Sequence, residues 1–422
     1  MAGLYFHIPF CKTRCVYCDF YSATSIADKS ALIEAMCREM EWRKEYLAPS
    51  NSHKGGGLLA PEIRTVYFGG GTPSLLEEKD FEKLFAQIKR LTSPLSGGLG
   101  GASEITLEAN PDDLSEEYLS MLRRFPFNRI SIGVQSFNDD ELRFLNRRHS
   151  KEQAVKAVEK CRKAGFDNIS IDLMYGLPLQ TLESWKNSLQ TAVALNVEHI
   201  SAYHLTYEPQ TVLGKMLAEG KITPANEETV LAQFATLINT LKNNGFEHYE
   251  ISNFAKKGFR SKHNSAYWQG KSYLGIGPSA HSYDGDSRQW NVADTKQYIQ
   301  ALAPPSPPEG GDVSRVGQNI GAKLMSNEQM LTSPPLGGLG GAEILSPTDK
   351  YNDYIITRLR TAEGIDLSEI NQQFGKEFAG YCLKKAQPFI QSGKLEQTNS
   401  QIKTTASGIF ISDYIMEKLM FA

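Results

Sequence analysis

Between Leu4 and Asn244 a short β-branched or aromatic run is followed six times over by a longer stretch of helical periodicity. The runs are "LYFHI", "IRTVYFGG", "EITLEANP", "RISIGVQSF", "NISIDLMYGLP" and "HISAYHLTYEP". The stretches after them begin near Ser30 and Glu77, cover Ser115 to Arg124, form two short helices after Phe137, and cover Leu182 to Ala194 and Glu227 to Asn244. Strands that alternate with helices pair in parallel through right-handed crossovers, so the pattern predicts an α/β fold built on a full or partial six-unit barrel. Such barrels build their sites from the loops after the strand C-termini, which sends Cys11, Gly69 to Thr72, Glu108, Gln135 and Asp172 to one mouth.

Beyond residue 240 the pattern changes. Residues 241–302, rich in aromatics, glycine and histidine, read as strands and loops added at the barrel edge, and residues 349–422 as a small, mostly helical, wing-like unit. Residues 303–348 read as low-complexity insertion. Three related phrases, from Ser93, Ser306 and Ser333, combine proline and glycine at a density that predicts exposed loops without a core, and glycines near Gly55 resemble a fourth copy.

A chain of 422 residues with a net charge of -3 has no basic excess for nucleic acid. It shows neither a signal peptide nor an apolar run long enough to span a bilayer, and its six cysteines are too sparse for a secreted disulfide framework. A reducing, cytoplasmic setting is expected.

Three of those cysteines, Cys11, Cys15 and Cys18, fall within "HIPFCKTRCVYCDF". Soft thiolates suit iron–sulfur clusters and zinc, and one short loop can supply three corners of a cubane while a fourth iron stays open. An open iron is what radical S-adenosylmethionine (SAM) chemistry needs; structural zinc completed by His7 or a distant cysteine, or three unligated thiols, are the other readings. "GGGTPS" offers backbone N–H groups to a charged ligand end, or is a tight turn. Glu108 and Asp172 suit an amino group and ribose hydroxyls, and Gln135 and Arg147 a ribose or carboxylate, unless they serve as caps and solvated charges.

The motifs "YFHIPFCKTRCVYCDF", "YFGGGTPS", "LEANPDD", "GVQSFNDDELRFLNRRH" and "IDLMYGLPLQT", in that order, resemble the oxygen-independent coproporphyrinogen III oxidase family of radical SAM proteins. The resemblance implies a partial (β/α)6 radical SAM barrel with a 4Fe-4S cluster on Cys11, Cys15 and Cys18. It also implies SAM contacts from Tyr5, Gly70, Gly71, Thr72, Glu108, Gln135, Arg147 and Asp172, with Tyr17 near the adenine. Two features depart from the oxidase pattern: Phe20 stands where the oxidases have a further cysteine, and Cys11 lies so near the start that the oxidases' covering segment is not expected. The departures resemble the HemW-like branch, regarded as heme chaperones. That resemblance implies heme as ligand, a heme-accepting partner, possibly respiratory and membrane-associated, no catalytic residue, and a monomer or a dimer linked by heme or cluster. Oxidation of a porphyrinogen is the alternative. The branch motif H-N-x-x-Y-W stands at His263 to Trp268 and makes His263 the expected axial heme ligand, with Arg260 and Lys262 near the propionates; a histidine held under a loop is the other reading. His281, in "GPSAHSY", is a second candidate ligand.

Overall fold

The computed structural model describes residues 2–43, 63–91, 102–304 and 339–421. Nearly all of the first two proline–glycine phrases, and the glycines near Gly55, lie outside these residues.

The alternation becomes six parallel strands, β1 (Ala2–Ile8), β2 (Ile63–Gly70), β3 (Glu104–Ala109), β4 (Arg129–Gln135), β5 (Ile169–Tyr175) and β6 (His199–His204), hydrogen-bonded in chain order. The helices between them are α1 (Lys29–Trp42), α2 (Glu78–Leu91), α3 (Glu116–Leu122), α4 (Asp139–Phe144), α5 (Lys151–Lys163) and α6 (Leu182–Ala194); α7 (Val212–Ala218) and α8 (Glu227–Asn243) follow β6. Each helix buries one stripe. In α2 the stripe is Phe81, Leu84, Phe85, Ile88 and Leu91, the spacing of one helical face, packed on Phe68 of β2.

The strands also carry a two-residue period. Ile105 and Leu107, Ile130, Ile132 and Val134, Ile169 and Ile171, and Ile200 point outward into the core beneath the helices. Their alternates, among them Thr65, Glu104, Glu108, Arg129, Ser170, Asp172 and His199, turn inward. The lumen is therefore polar, unlike the side-chain-filled interior of a closed eight-stranded barrel.

The barrel is open. On the β6 side the sheet continues through β8 (Asn253–Ala255) and β7 (Glu247–Glu250). After α9 (Lys262–Trp268), β9 (Tyr273–Ile276) pairs parallel to β1, and β10 (His281–Tyr283), β11 (Ser287–Trp290) and β12 (Gly341–Ile344) extend that edge antiparallel. The helix α10 (Thr295–Ala301) packs on α1. The last strand falls where insertion loop was expected. The end of the third proline–glycine phrase forms it, because a side chain at Gly341 would strike the Trp290 ring at 2.4 Å, and only glycine lets β12 reach β11 there.

The C-terminal unit has its own core, including Tyr351, Ile355, Ile370, Ile402 and Ile415. It comprises α11 (Pro347–Leu359), α12 (Leu367–Phe374), α13 (Lys376–Gln391) and α14 (Ser412–Leu419) with a three-stranded sheet of β13 (Ile365–Asp366), β15 (Gln401–Thr404) and β14 (Leu395–Thr398). Within this mostly helical unit β14 and β15 pair antiparallel as a hairpin. This unit touches both edges of the large sheet: Glu250 bridges Thr361, and the Arg288 guanidinium pairs with Asp353.

Candidate functional site

The loop after β1 carries Cys11, Cys15 and Cys18, all partly exposed. Its backbone is tied down on several sides. The Cys11 N–H donates to the Ala23 carbonyl at 2.9 Å, the Asn146 side chain donates to the Arg14 carbonyl at 2.9 Å, and the Leu213 N–H donates to the Val16 carbonyl at 2.9 Å. Tyr17 packs with Leu145, Met174, Leu177, Leu205 and Leu213, an apolar cluster between this loop and α7.

Donors face the sulfurs. The Thr72 hydroxyl lies 3.5 Å from Cys11 Sγ, and an Arg147 Nη1 lies 3.4 Å from Cys15 Sγ. Arg147 is aimed by the Gly133 carbonyl and the Asn110 side-chain oxygen, each 2.5 Å away. Burial raises the Cys11 thiol, and pushes Cys18 up to about 11. Thiols raised in this way need a cation beside them to ionise, and donors already directed at sulfur stabilise the thiolate form. Among the described residues the three sulfurs are not drawn together as a ready metal-binding group, but the donors at Cys11 and Cys15 are of the kind that suits thiolates on a cationic iron–sulfur group.

The glycines of "GGGTPS" stand where contact forbids side chains. Gly71 passes 2.8 Å from the Ile8 and Phe10 carbonyls, measured from where a Cβ would sit, and its N–H donates to Ile8 at 2.8 Å. Gly70 has φ +102°, and a Cβ there would strike the His7 ring. Its N–H donates to Glu108 at 3.2 Å, and the Tyr67 hydroxyl donates to the same carboxylate at 2.6 Å. Burial nevertheless lifts Glu108 to about 7 and Asp172 to about 6. Gln135 closes β4 in a left-handed conformation, φ 67°, just after a register shift, strain that aims its side chain over Gly133. Thr72, Glu108, Gln135, Arg147 and Asp172 therefore converge at the C-terminal end of the parallel strands, as the strand order requires. Tyr5 sits deeper, its hydroxyl 3.2 Å from His7 Nδ1.

The buried Arg129, 1% exposed at the start of β4, was not singled out from sequence. Its positive charge acts on both Glu108 and Asp172 from within the lumen. The signal lay in a charged residue opening an otherwise apolar strand.

His263 is not at the mouth. The ring is 1% exposed, with Nδ1 2.8 Å from the Thr65 hydroxyl and Nε2 2.7 Å from the Tyr267 hydroxyl, so neither nitrogen faces a ligand. The axial role expected for it does not fit this geometry. The H-N-x-x-Y-W segment is α9, whose first N–H groups, from Lys262 and His263, donate to Glu104 at 2.9 Å each. Ser261 links the same carboxylate to Tyr249, and Tyr249 to His199 and Ser170, a hydrogen-bonded plug across the base of the lumen. Arg260 is paired with Glu247 and Glu363, and the Lys262 ammonium donates to the Ser103 carbonyl, so neither is held ready for a propionate.

Beside the cysteine loop, between β9–β11 and the C-terminal unit, opens a cavity of about 840 Å³. Tyr5, His7, Phe20 and Tyr21 form its inner side, and His281 lines it.

Residues 5–192 match the model of the radical SAM superfamily, and residues 345–411 match the HemN C-terminal domain. The heme chaperone HemW of Bacillus subtilis is 39% identical over 98% of this chain and 98% of its own length. The chain belongs to the HemW family of radical SAM proteins. The HemW of Lactococcus lactis is 30% identical over 99% of this chain and 96% of that one. In structure, the chain resembles the coproporphyrinogen III oxidase HemN of Escherichia coli, a radical SAM enzyme, with a TM-score of 0.76 and 25% identity over 99% of this chain and 90% of the other. That likeness spans barrel, edge strands and C-terminal unit alike.

Proposed function

We propose that this chain is a heme chaperone: it binds heme and passes it to an acceptor protein. The observation that carries this reading is the full-length similarity, at 39% identity, to a relative named as a heme chaperone. Phe20 supports it, since an exposed phenyl ring stands in the cysteine loop where the oxidase pattern has another thiol.

The resident groups are a 4Fe-4S cluster on Cys11, Cys15 and Cys18, and SAM. Cys11, Cys15 and Cys18 would hold the cluster, whose chemistry there would be one-electron reduction of the SAM sulfonium. The protein's part is positional. Gly70, Gly71 and Thr72 present backbone and hydroxyl to the charged end of SAM, Glu108 and Asp172 offer carboxylates to its ammonium and ribose, and Gln135 and Arg147 hold the remaining polar edge. Tyr5 and Tyr17 bound this space on either side, Tyr17 toward the adenine.

The acceptor is proposed to be a respiratory, membrane-associated hemoprotein reached from the cytoplasm. Among the described residues no helix is long and apolar enough to cross a membrane. The working unit is a monomer or a dimer linked by heme or cluster.

The second reading, oxidation of a porphyrinogen, draws on the likeness to HemN. Anaerobically reconstituted protein, titrated with hemin in the presence and absence of SAM, tests the first. Incubation with dithionite, SAM and coproporphyrinogen III tests the second, and catalytic turnover to a decarboxylated product would overturn a purely chaperone role.

A further inference from the structure

Three imidazoles approach the cavity between the large sheet and the C-terminal unit: His7 and His281 line it, and His263 stands behind Tyr267. Two are fully engaged. His7 holds Tyr5 through Nδ1 at 3.2 Å and the Tyr21 carbonyl through Nε2 at 2.9 Å, and His263 holds Thr65 and Tyr267. His281 is exposed and, among the described residues, makes no side-chain hydrogen bond; its ring stacks beside Trp290 with centroids 6.3 Å apart.

Strand register places it. In the β10–β11 pair, His281 lies opposite Trp290 and Tyr283 opposite Arg288, while Tyr283 also lies opposite Tyr273 of β9. Alternate residues of a strand share a face, so His281, Tyr283, Tyr273 and Arg288 form one wall of the cavity. That wall is firm at the ligand position: the Asn291 N–H donates to the Ala280 carbonyl at 2.9 Å and the Ser279 N–H to Val292 at 3.0 Å. Tyr354 and Arg358 of α11 and Phe374 of α12 face it from the other side.

The chemistry of this space is selective. Its volume of about 840 Å³ falls in the range of roughly 300–1,000 Å³ found for cofactor sites. Aromatic faces on opposite walls suit a flat conjugated ring. Four cationic side chains, Lys271, Arg288, Lys350 and Arg358, against three acids, Asp19, Asp353 and Glu369, leave net positive charge for a ligand bearing carboxylates. Lys271 alone of the four forms no ion pair among the described residues. Burial raises the Tyr273 and Tyr283 hydroxyls, which keeps them neutral phenols and poor iron ligands, and lowers His281, which keeps its lone pair free for a metal.

We propose that an iron porphyrin seats in this interdomain cavity with its iron on the His281 imidazole and a propionate on Lys271. The inference rests on the heme chaperone reading and assigns that reading its site. It also puts the porphyrin against Phe20 and Tyr21, directly beside the cysteine loop.

The test is a titration of the anaerobically reconstituted full chain with hemin, followed by its Soret band, and in parallel with iron-free protoporphyrin IX. The His281→Ala variant should lose the Soret shift and bind hemin at least about tenfold more weakly, while protoporphyrin affinity stays as in the parent chain. Lys271→Glu should weaken both ligands. A His281→Ala protein that keeps the parent spectrum and affinity overturns the ligation, as does one that loses hemin and protoporphyrin equally; unchanged binding in Lys271→Glu overturns the propionate contact. Absence of hemin binding by the parent chain would instead sink the chaperone reading itself. His281 is exposed and unbonded, so its replacement leaves the fold intact, which a melting curve checks.

Discussion

His263 Nε2 and the Tyr267 hydroxyl lie 2.7 Å apart, one turn of α9 from each other, and with Nδ1 held by Thr65 of β2 and the backbone N–H by Glu104 of β3 the ring fastens the helix to the floor of the barrel rather than to a ligand. Burial lowers His263 to about 3, so the ring is neutral, one nitrogen donating and the other accepting. Replacing it by alanine strands the Thr65 and Tyr267 hydroxyls and opens a void. We expect His263→Ala to cost about 2–4 kcal/mol in urea unfolding while the hemin spectrum of the folded fraction persists. A parent-like urea midpoint combined with a lost Soret shift would return the ligand role to His263.

Glu108 gives the site a pH signature. Its folded value of about 7 lies above the ordinary 4.5 because burial outweighs the hydrogen bonds from Tyr67 and Gly70. The folded chain thus holds a proton that the unfolded chain has already released, and stability falls as pH rises through this window. About 3 kcal/mol should be lost between roughly pH 4.5 and 7, with no further change from this group above it. Glu108→Gln should flatten that slope and be the more stable protein at pH 8 without ligand, yet bind SAM more weakly. Urea midpoints across the pH range and calorimetric titration with SAM check both halves; an unaltered slope in the variant would place the burial cost elsewhere.

Removing one thiol separates the cluster from the fold. The cysteine loop is fixed by backbone contacts to Ala23, Leu145 and Leu213 that involve no sulfur. Cys15→Ala should therefore lose the iron and acid-labile sulfide of reconstituted protein while keeping the far-ultraviolet spectrum of the parent apo chain and a melting point within a few degrees of it, a shift of about 1 kcal/mol or less. Iron retained at the parent level would show that the three cysteines are not the ligands.

The six-unit plan and the gathering of Glu108, Gln135 and Asp172 at one mouth were legible because strand-to-helix alternation dictates both. The polar lumen is equally written in the alternation of "EITLE", "RISIGVQ" and "HIS", where every second residue is polar or charged or glycine. The role of His263 was beyond sequence. A histidine beside tyrosine and tryptophan looks the same whether it ligates iron or plugs a barrel, and only the long-range partners Thr65 and Glu104, far away along the chain, distinguish them. The same holds for Gly341, whose need for a bare Cα arises from Trp290 across a strand pair.

The C-terminal unit is fastened by Arg360, and that fastening should govern how firmly the cavity holds its occupant. Glu250, 2% exposed at the sheet edge, accepts Arg360 Nε at 2.9 Å and Nη2 at 2.8 Å, besides the Ser252 N–H at 3.0 Å and the Asn253 side chain at 2.5 Å. The Arg360 carbonyl accepts the Ile251 N–H at 3.1 Å, and its guanidinium lies 5.3 Å over the Trp268 ring, which lines the cavity. Arg360→Ala leaves a buried carboxylate without its cation, a loss of about 3–5 kcal/mol. The double change Glu250→Gln with Arg360→Met removes both charges and should restore much of that stability. In the single variant, amide exchange should quicken in α11 and α12, and hemin should pass to an excess of apomyoglobin several-fold faster than from the parent chain, with the double variant in between. If the single variant releases hemin at the parent rate despite faster exchange in those helices, the C-terminal unit is not the gate of the cavity.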